Sequence, residues 1–280
     1  MKPIIKWPGG KRAVLQHFED LIRNNLNSDT TFYEPFAGGL AVSLSLEHPK
    51  TVVNDLNSEL INMYTVVRDE PEKLIRFLEA HQADHSEEHY YKVRDMDRCP
   101  TFAVMPTYVR AARTIYLNKT CFNGLYRVNS KGYFNSPIGR TTSGKTPDIV
   151  QEDAILELSK FLKTVDIRCG DYRNCLVDAK ANDVVYLDSP YNYENEDGFT
   201  AYQKEGWTNN SLVELKQCCD ELVDKGVKVI ISNNSIPFVR NLFNDDRYDY
   251  FEIDVKRSIN SNKDGRGPVK EIVIYSKNCK

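Results

Sequence analysis

No Cys-x-x-Cys pair occurs in the 280 residues, although seven cysteines stand at 99, 121, 169, 175, 218, 219 and 279. That spacing argues against a structural zinc site. The odd cysteine count, behind a start (Met1 to Gly10) with no apolar secretory core, points to reduced thiols in the cytoplasm. No apolar stretch approaches the roughly 18 residues needed to cross a bilayer, so no membrane span is expected. Internal repeats and low-complexity tracts are lacking too. The three-glycine dinucleotide fingerprint is also missing, which disfavours a nicotinamide dehydrogenase. Acidic residues are absent over one long stretch: from Arg98 to Pro147 there are eight basic residues and no Asp or Glu.

That stretch matters because the net charge, −3, would otherwise argue against a polyanionic partner. Its basic set is Arg98, Arg110, Arg113, Lys119, Arg127, Lys131, Arg140 and Lys145. Polyanion binding needs a local positive field, not a basic whole. A phosphate-facing segment is expected, with a solvated face as the plainer alternative. Hydrophobic content of 41% and charged content of 28% are those of an ordinary globular chain, long enough for one large domain or two smaller ones.

Apolar periodicity predicts a helix from Lys11 to about Leu26, with Val14, Leu15, Phe18, Leu21, Ile22 and Leu26 on one stripe. A strand at Thr31 to Tyr33, the turn Glu34-Pro35-Phe36-Ala37-Gly38-Gly39, a helix from Leu40 to Leu46 and a strand at Thr51 to Asp55 form a βαβ unit. Helices rich in Glu, Arg, His and Tyr fill 57–106, another covers Thr107 to Asn118, and Cys121 to Ile138 has the composition of a hairpin or ordered loop. Alternation resumes after Asp148, with strands at Val165 to Arg168, Val184 to Asp188, Val227 to Ser232 and Glu271 to Ser276 and helices near 150–163 and 209–225. The pattern is one α/β domain interrupted by a helical insertion at about 60–150.

Asp188-Ser189-Pro190-Tyr191 closes the apolar run Val184 to Leu187, at the strand end where open α/β sheets bind ligands. A carboxylate and a backbone carbonyl there can accept the hydrogens of an exocyclic amine while the tyrosine ring stacks on its base. The same four residues also suit a simple turn. Gly38 and Gly39, between strand and helix, let backbone N–H groups approach a ligand, and Asp55 follows Gly38 at about the spacing of a ribose-binding acid. Leu40 stands where a Phe-x-Gly-x-Gly pattern has its second glycine, so a ligand without pyrophosphate, such as S-adenosylmethionine, is favoured. Lys6-Trp7-Pro8-Gly9-Gly10-Lys11-Arg12 is a second glycine-bearing turn that suits either a ligand wall or a helix cap. His81, His85 and His89 can share a helical face; a hydrated surface is expected there, and no metal. Asn118 to Arg127 mixes aromatic wedges, amides and an arginine, which fits base contacts or a hairpin's own core and rim.

Together these motifs resemble the DNA adenine methylase (Dam) family of D12-class N6-adenine methyltransferases. The resemblance rests on Lys-Trp-Pro-Gly-Gly-Lys at 6–11, Glu-Pro-Phe-Ala-Gly-Gly at 34–39, Asn-Asp-Leu-Asn at 54–57, Asn-Gly-Leu-Tyr-Arg at 123–127, Asp-Ser-Pro-Tyr at 188–191 and Phe-Thr-Ala-Tyr at 199–202. It implies a Rossmann-like S-adenosylmethionine-dependent sheet in two halves, 1–60 and 151–280, with a small helical and hairpin target-recognition domain at 61–150. Trp7, Lys11, Phe36, Gly38, Gly39, Asp55, Asp171 and Asp188 would serve the cofactor, S-adenosyl-L-methionine. Asp188, Ser189, Pro190 and Tyr191 would be catalytic. Lys119, Asn123, Leu125, Arg127, Lys131 and Arg140 would face double-stranded DNA, Arg127 at a guanine-contacting position of relatives that recognise GATC.

The family's usual motif is Asp-Pro-Pro-Tyr, so Ser189 is a departure. The acceptor needed there is a backbone carbonyl, which any residue supplies. The expected reaction is methylation of adenine N6 in duplex DNA at GATC or a related short site, by a monomer. An RNA adenine methyltransferase and a DNA-binding relative with impaired catalysis are the rival readings.

Overall fold

The computed structural model describes residues 1–140, 147–191, 207–256 and 268–280; Lys145 and the Phe199–Tyr202 motif lie outside them. In chain order come α1 (Glu19–Arg23), β1 (Phe32–Glu34), α2 (Ala41–Leu46), β2 (Thr51–Asp55), α3 (Ser58–Asp69) and α4 (Pro71–Ala83). Then follow α5 (Glu87–Arg94), α6 (Thr107–Thr120), α7 (Glu152–Leu162), β3 (Val165–Cys169), α8 (Tyr172–Cys175) and β4 (Val184–Leu187). The last are α9 (Asn209–Asp224), β5 (Lys228–Asn234), α10 (Pro237–Leu242), β6 (Tyr248–Lys256) and β7 (Pro268–Ser276). Strands hydrogen-bond in the order β3-β2-β1-β4-β5-β7-β6. β4 pairs in parallel with β1 and β5, whereas β7 is antiparallel to both β5 and β6. This mixed α/β sheet is the Rossmann-like architecture expected of a methyltransferase. Among the described residues no helix is long and apolar enough to cross a membrane.

The chain divides into two compact units. The first comprises Met1–Lys11, Ala37–Pro49 and Val53–Asp171. Its α3 buries Leu60, Met63, Tyr64 and Val67, one stripe at helical spacing, in a core shared with Ala111, Ala112, Ile115 and Tyr116 of α6. Asn57 caps α3 by accepting the N–H groups of Glu59 and Leu60, each at 3.1 Å. The second unit comprises Arg12–Phe36, Lys50–Val52 and Tyr172–Lys280. There β4 is buried along its whole length, and α9 adds Leu212, Leu215, Cys219 and Leu222 from one face. A capping box between Thr208 and Ser211 starts α9.

Two expectations from the sequence need correction. The stretch from Lys11 to Leu26 is not one helix: two short 3-10 turns, Lys11–Ala13 and Leu15–His17, precede α1. Phe18 leaves the helical region (φ −139°) and stacks on Tyr186 at 5.5 Å, so packing outweighs helix propensity there. The apolar stripe was legible nonetheless, since Val14, Leu15, Phe18 and Ile22 are all buried. The second is β6, an extra strand carrying Asp249, Glu252 and Asp254; charges on a strand at the sheet's edge mask its alternation.

Candidate active site

In the first unit, the Ala37–Leu40 turn is clamped from several sides. The Ala37 N–H donates to Asn54 O at 2.8 Å, and Tyr64 Oη donates to Gly38 O at 2.7 Å. Gly38 has φ +47°, and a Cβ on it would stand 2.9 Å from Trp7 Cδ1. A Cβ on Gly39 would meet Trp7 Cβ at 3.3 Å. Glycine is required here because the indole lies against the turn. Trp7 stacks on Tyr126 with centroids 4.9 Å apart. Leu40 next to them adopts φ +58° and is fully buried. Its backbone takes the left-handed form that a glycine would favour, and burial of the side chain offsets the conformational cost of about 1–2 kcal/mol.

Asp55 joins the same turn. Its Oδ2 accepts the Gly38 N–H at 3.0 Å and its Oδ1 the Asn57 N–H at 2.9 Å. Burial raises the Asp55 pKa, opposed by backbone N–H bonds from Asn57, Gly38 and Leu56. Three N–H donors on a carboxylate with about four lone-pair sites leave it room for a hydroxyl donor. The end of β3 joins it: Gly170 donates its N–H to Asp55 O at 3.1 Å, and Asn54 Nδ2 donates to Gly170 O at 2.9 Å. Asp171 follows, half-buried. The buried Lys11 closes the N-terminal segment of this unit. That segment is pinned to α6 through Asn118, which accepts the Lys6 N–H at 2.9 Å and donates to Lys6 O at 2.6 Å.

In the second unit, the end of β4 lies against polar residues of β5 and β7. Asp188 Oδ1 accepts from Ser232 Oγ at 3.2 Å, and Ser232 Oγ is 2.7 Å from Tyr186 Oη. The serine has one hydrogen and a carboxylate accepts only, so Tyr186 is the donor to Ser232. Asn233 Nδ2 donates to Ser189 Oγ at 3.2 Å. Tyr191 Oη donates to Glu271 Oε2 at 3.2 Å, and burial pushes the phenol pKa far up, Asp188 and Glu271 adding to the effect. Pro190 is exposed. Phe36 belongs to an aromatic group, 5.2 Å from Tyr172 and 5.4 Å from Trp207. Tyr186, Ser232, Asn233 and Glu271 escaped the sequence reading. Their signal was three polar residues, Ser232 to Asn234, ending a strand whose preceding residues are apolar.

The acid-free segment is less uniformly cationic than its composition implied. Arg113 is buried, 2.8 Å from Asp97, and also donates to Val93 O and Arg94 O. Arg98 pairs with Asp97 and Asp95, and Arg110 with Glu59. Acids outside the segment thus neutralise three of its arginines. Lys119 is half-buried and donates to Gln151 Oε1 at 2.6 Å. Burial lowers its pKa to about 8, Lys6 adding to this and Asp148 opposing it. Arg127, Lys131 and Arg140 are exposed, as are Phe122 and Asn123. Asn123 has φ +57°, an uncommon conformation that turns the chain at the head of the hairpin. Leu125 is half-buried, and bridges Cys121–Ile138 and Val128–Phe134 close the hairpin. Arg127 Nε donates to Asn135 Oδ1 at 2.8 Å, which holds the guanidinium along the hairpin edge.

The three histidines are not a hydrated helix face. His81 lies on α4 and His89 on α5, with Nδ1 of the first 2.9 Å from Nε2 of the second. His85 Nδ1 is 2.9 Å from Tyr116 Oη, and all three rings pack around that tyrosine. The helix break at Asp84 turns the four-residue spacing into a contact between two helices. Among the described residues no group of three or more His, Cys, Asp or Glu could hold a metal ion.

Residues 7–259 match the family of D12 class N6 adenine-specific DNA methyltransferases. A type II methyltransferase of Lactococcus lactis subsp. cremoris, M1.LlaDCHI, is 39% identical over 98% of this chain and 95% of its own length. The type II methyltransferase M.MjaIII of Methanocaldococcus jannaschii is 34% identical over 95% of each. The DNA adenine methylase of Escherichia coli K12 is 28% identical over 99% of this chain and 95% of its own. With a family match spanning nearly the whole sequence and relatives aligned end to end, the chain belongs to the D12 class of N6-adenine-specific DNA methyltransferases.

Proposed function

We propose that the chain transfers the methyl group of S-adenosyl-L-methionine to N6 of an adenine flipped out of duplex DNA, at GATC or a related short site. The observation that carries this reading is the strand-end arrangement at Asp188, a carboxylate held by Ser232 beside an anchored serine and tyrosine. Such a set accepts amine hydrogens and stacks a ring, which N6 chemistry requires. Flipping costs a few kcal/mol, about 2–4, and stacking on Tyr191 returns roughly 1–3 kcal/mol. Asp188 and the carbonyl of Ser189 take the two N6 hydrogens, leaving the amine lone pair to attack. The proton lost from N6 on methylation passes towards Asp188.

The glycine turn against Trp7, with Asp55 below it, fits a nucleoside cofactor without pyrophosphate. Trp7, Lys11, Phe36, Gly38, Gly39, Asp55, Asp171 and Asp188 are the residues we assign to it. When bound, it supplies the sulfonium methyl and a neutral leaving group, so the reaction calls for neither a metal nor a covalent enzyme intermediate. Residues 61–150 are assigned to target recognition, with 1–60 and 151–280 as the two halves of the catalytic domain. Lys119, Asn123, Leu125, Arg127, Lys131 and Arg140 are assigned to DNA, the arginine to a guanine by bidentate bonding.

The test is transfer of tritium from labelled S-adenosyl-L-methionine to duplexes with and without GATC, and to structured RNA. Label at adenine N6 in duplex DNA is expected. Label confined to RNA, or none, would overturn the reading.

A further inference from the structure

Proline in the first proline position of Asp-Pro-Pro-Tyr locks φ of the residue whose carbonyl meets the amine. Serine does not, yet this carbonyl has to be as well aimed here as elsewhere. Two constraints act on Ser189. Pro190 disfavours the helical region for the residue before it. From β5, Asn233 Nδ2 donates to Ser189 Oγ at 3.2 Å, and both residues are only 1% exposed. The amide's other end is fixed as well: Asn233 Oδ1 accepts the Asn234 N–H at 2.9 Å, so the amino group, not the carbonyl, faces the serine. The pairing follows from register. Leu187 stands opposite Ile231 in the parallel β4–β5 ladder, and Ser189 and Asn233 each lie two residues further on.

We propose that Asn233 is a positioning residue for methyl transfer: its amide holds the Ser189 side chain, and thereby the carbonyl of residue 189, in place of the missing pyrrolidine ring. This rests on the proposed function and adds to it a residue that acts through another. Asn233 and Ser189 form one device, whose value is specific to a chain with serine in the turn. A proline in that place needs no partner, having no side-chain acceptor to hold.

The test is a set of five variants read by kcat at saturating cofactor and duplex, with both KM values and the thermal midpoint recorded. Asn233→Ala is expected to lower kcat about three- to tenfold, the worth of one neutral hydrogen bond, while both KM values stay within about twofold. Ser189→Ala should give a similar loss, and Asn233→Ala with Ser189→Ala no more than either alone. In a Ser189→Pro background, adding Asn233→Ala should change kcat by less than about twofold. An equal loss with serine or proline in the turn would overturn the proposal, because Asn233 would then serve the fold and not Ser189. Full kcat in Ser189→Ala would overturn it too, and that variant decides alone if Asn233→Ala does not fold. Absence of adenine labelling by the unaltered chain would instead remove the proposed function itself. Labelling with additive effects across the set removes only the role of Asn233.

Discussion

Ser232 stands opposite Asp188, one residue beyond the last paired positions of β4 and β5, and its hydroxyl hydrogen-bonds the carboxylate at 3.2 Å. Tyr186, buried beneath the strand end, donates to that hydroxyl and fixes the direction of its proton. The carboxylate is thus oriented by a two-step chain of hydrogen bonds. Ser232→Ala removes a hydrogen bond to a charged group, worth about 1.5–3 kcal/mol, so kcat should fall about 10- to 100-fold. Tyr186→Phe, which leaves Ser232 in place, should cost less. Steady-state rates on one duplex decide the order of the two.

Asp188→Asn replaces an acceptor with an amide that can present hydrogens to the amine. Removing a group aimed at the reacting atom costs about 10²- to 10³-fold in kcat, and at least that is expected. Single-turnover methyl transfer, with the melting temperature as a control on folding, measures it. Normal transfer would exclude Asp188 from the chemistry.

Gly38→Ala places a Cβ 2.9 Å from Trp7 Cδ1 on a backbone with φ +47°. Strain of about 1–2 kcal/mol and displacement of the indole should follow. KM for the cofactor should rise about tenfold or more, with a smaller change in KM for DNA. Trp7→Ala combined with Gly38→Ala should recover only part of the stability, since the positive φ remains.

The histidine cluster makes stability depend on pH. Burial lowers the His81 pKa to about 4, with His89 acting in the same direction and Asp84 against it. The unfolded chain binds a proton near pH 6.5, so the native state carries fewer protons between these values. The stabilisation is complete above about pH 6.5 and disappears as pH falls towards 4; it amounts to about 2–3 kcal/mol. Urea midpoints measured between pH 4 and 8 should drop on the acid side, and His81→Gln should flatten that slope.

Two arginines of the same acid-free segment should behave oppositely. Arg113→Met leaves the Asp97 carboxylate without its buried partner and should destabilise the protein by about 3–5 kcal/mol. Arg127→Ala, on the exposed hairpin, should leave stability within about 0.5 kcal/mol and weaken DNA binding by about 1–3 kcal/mol. Thermal melts and duplex titrations at fixed salt separate the two.

Much of the framework around Asp188 was visible without coordinates. The run Val184 to Leu187 is apolar because both faces of β4 are covered, and a strand of that kind ends where its polar residues begin. The helix expected near 209–225 was legible as well, and α9 occupies Asn209–Asp224. The hairpin's outline was legible too, in the glycines and asparagines of 121–138.

What the chain order could not reveal is which polar side chains meet. Asp97 and Arg113 lie sixteen residues apart and outside any motif, and only tertiary packing brings the acid, on the 3-10 turn that follows α5, to the guanidinium on α6. The spacing of His81, His85 and His89 pointed to one exposed helix, but the break at Asp84 faces two helices towards each other around Tyr116. Ser232 and Asn233 come 44 residues after the residues they hold. Local sequence determines strand ends, turn chemistry and apolar faces, because those follow from backbone sterics and side-chain period. Register between β4 and β5 is a tertiary fact, and it alone set Ser232 against Asp188 and Asn233 against Ser189.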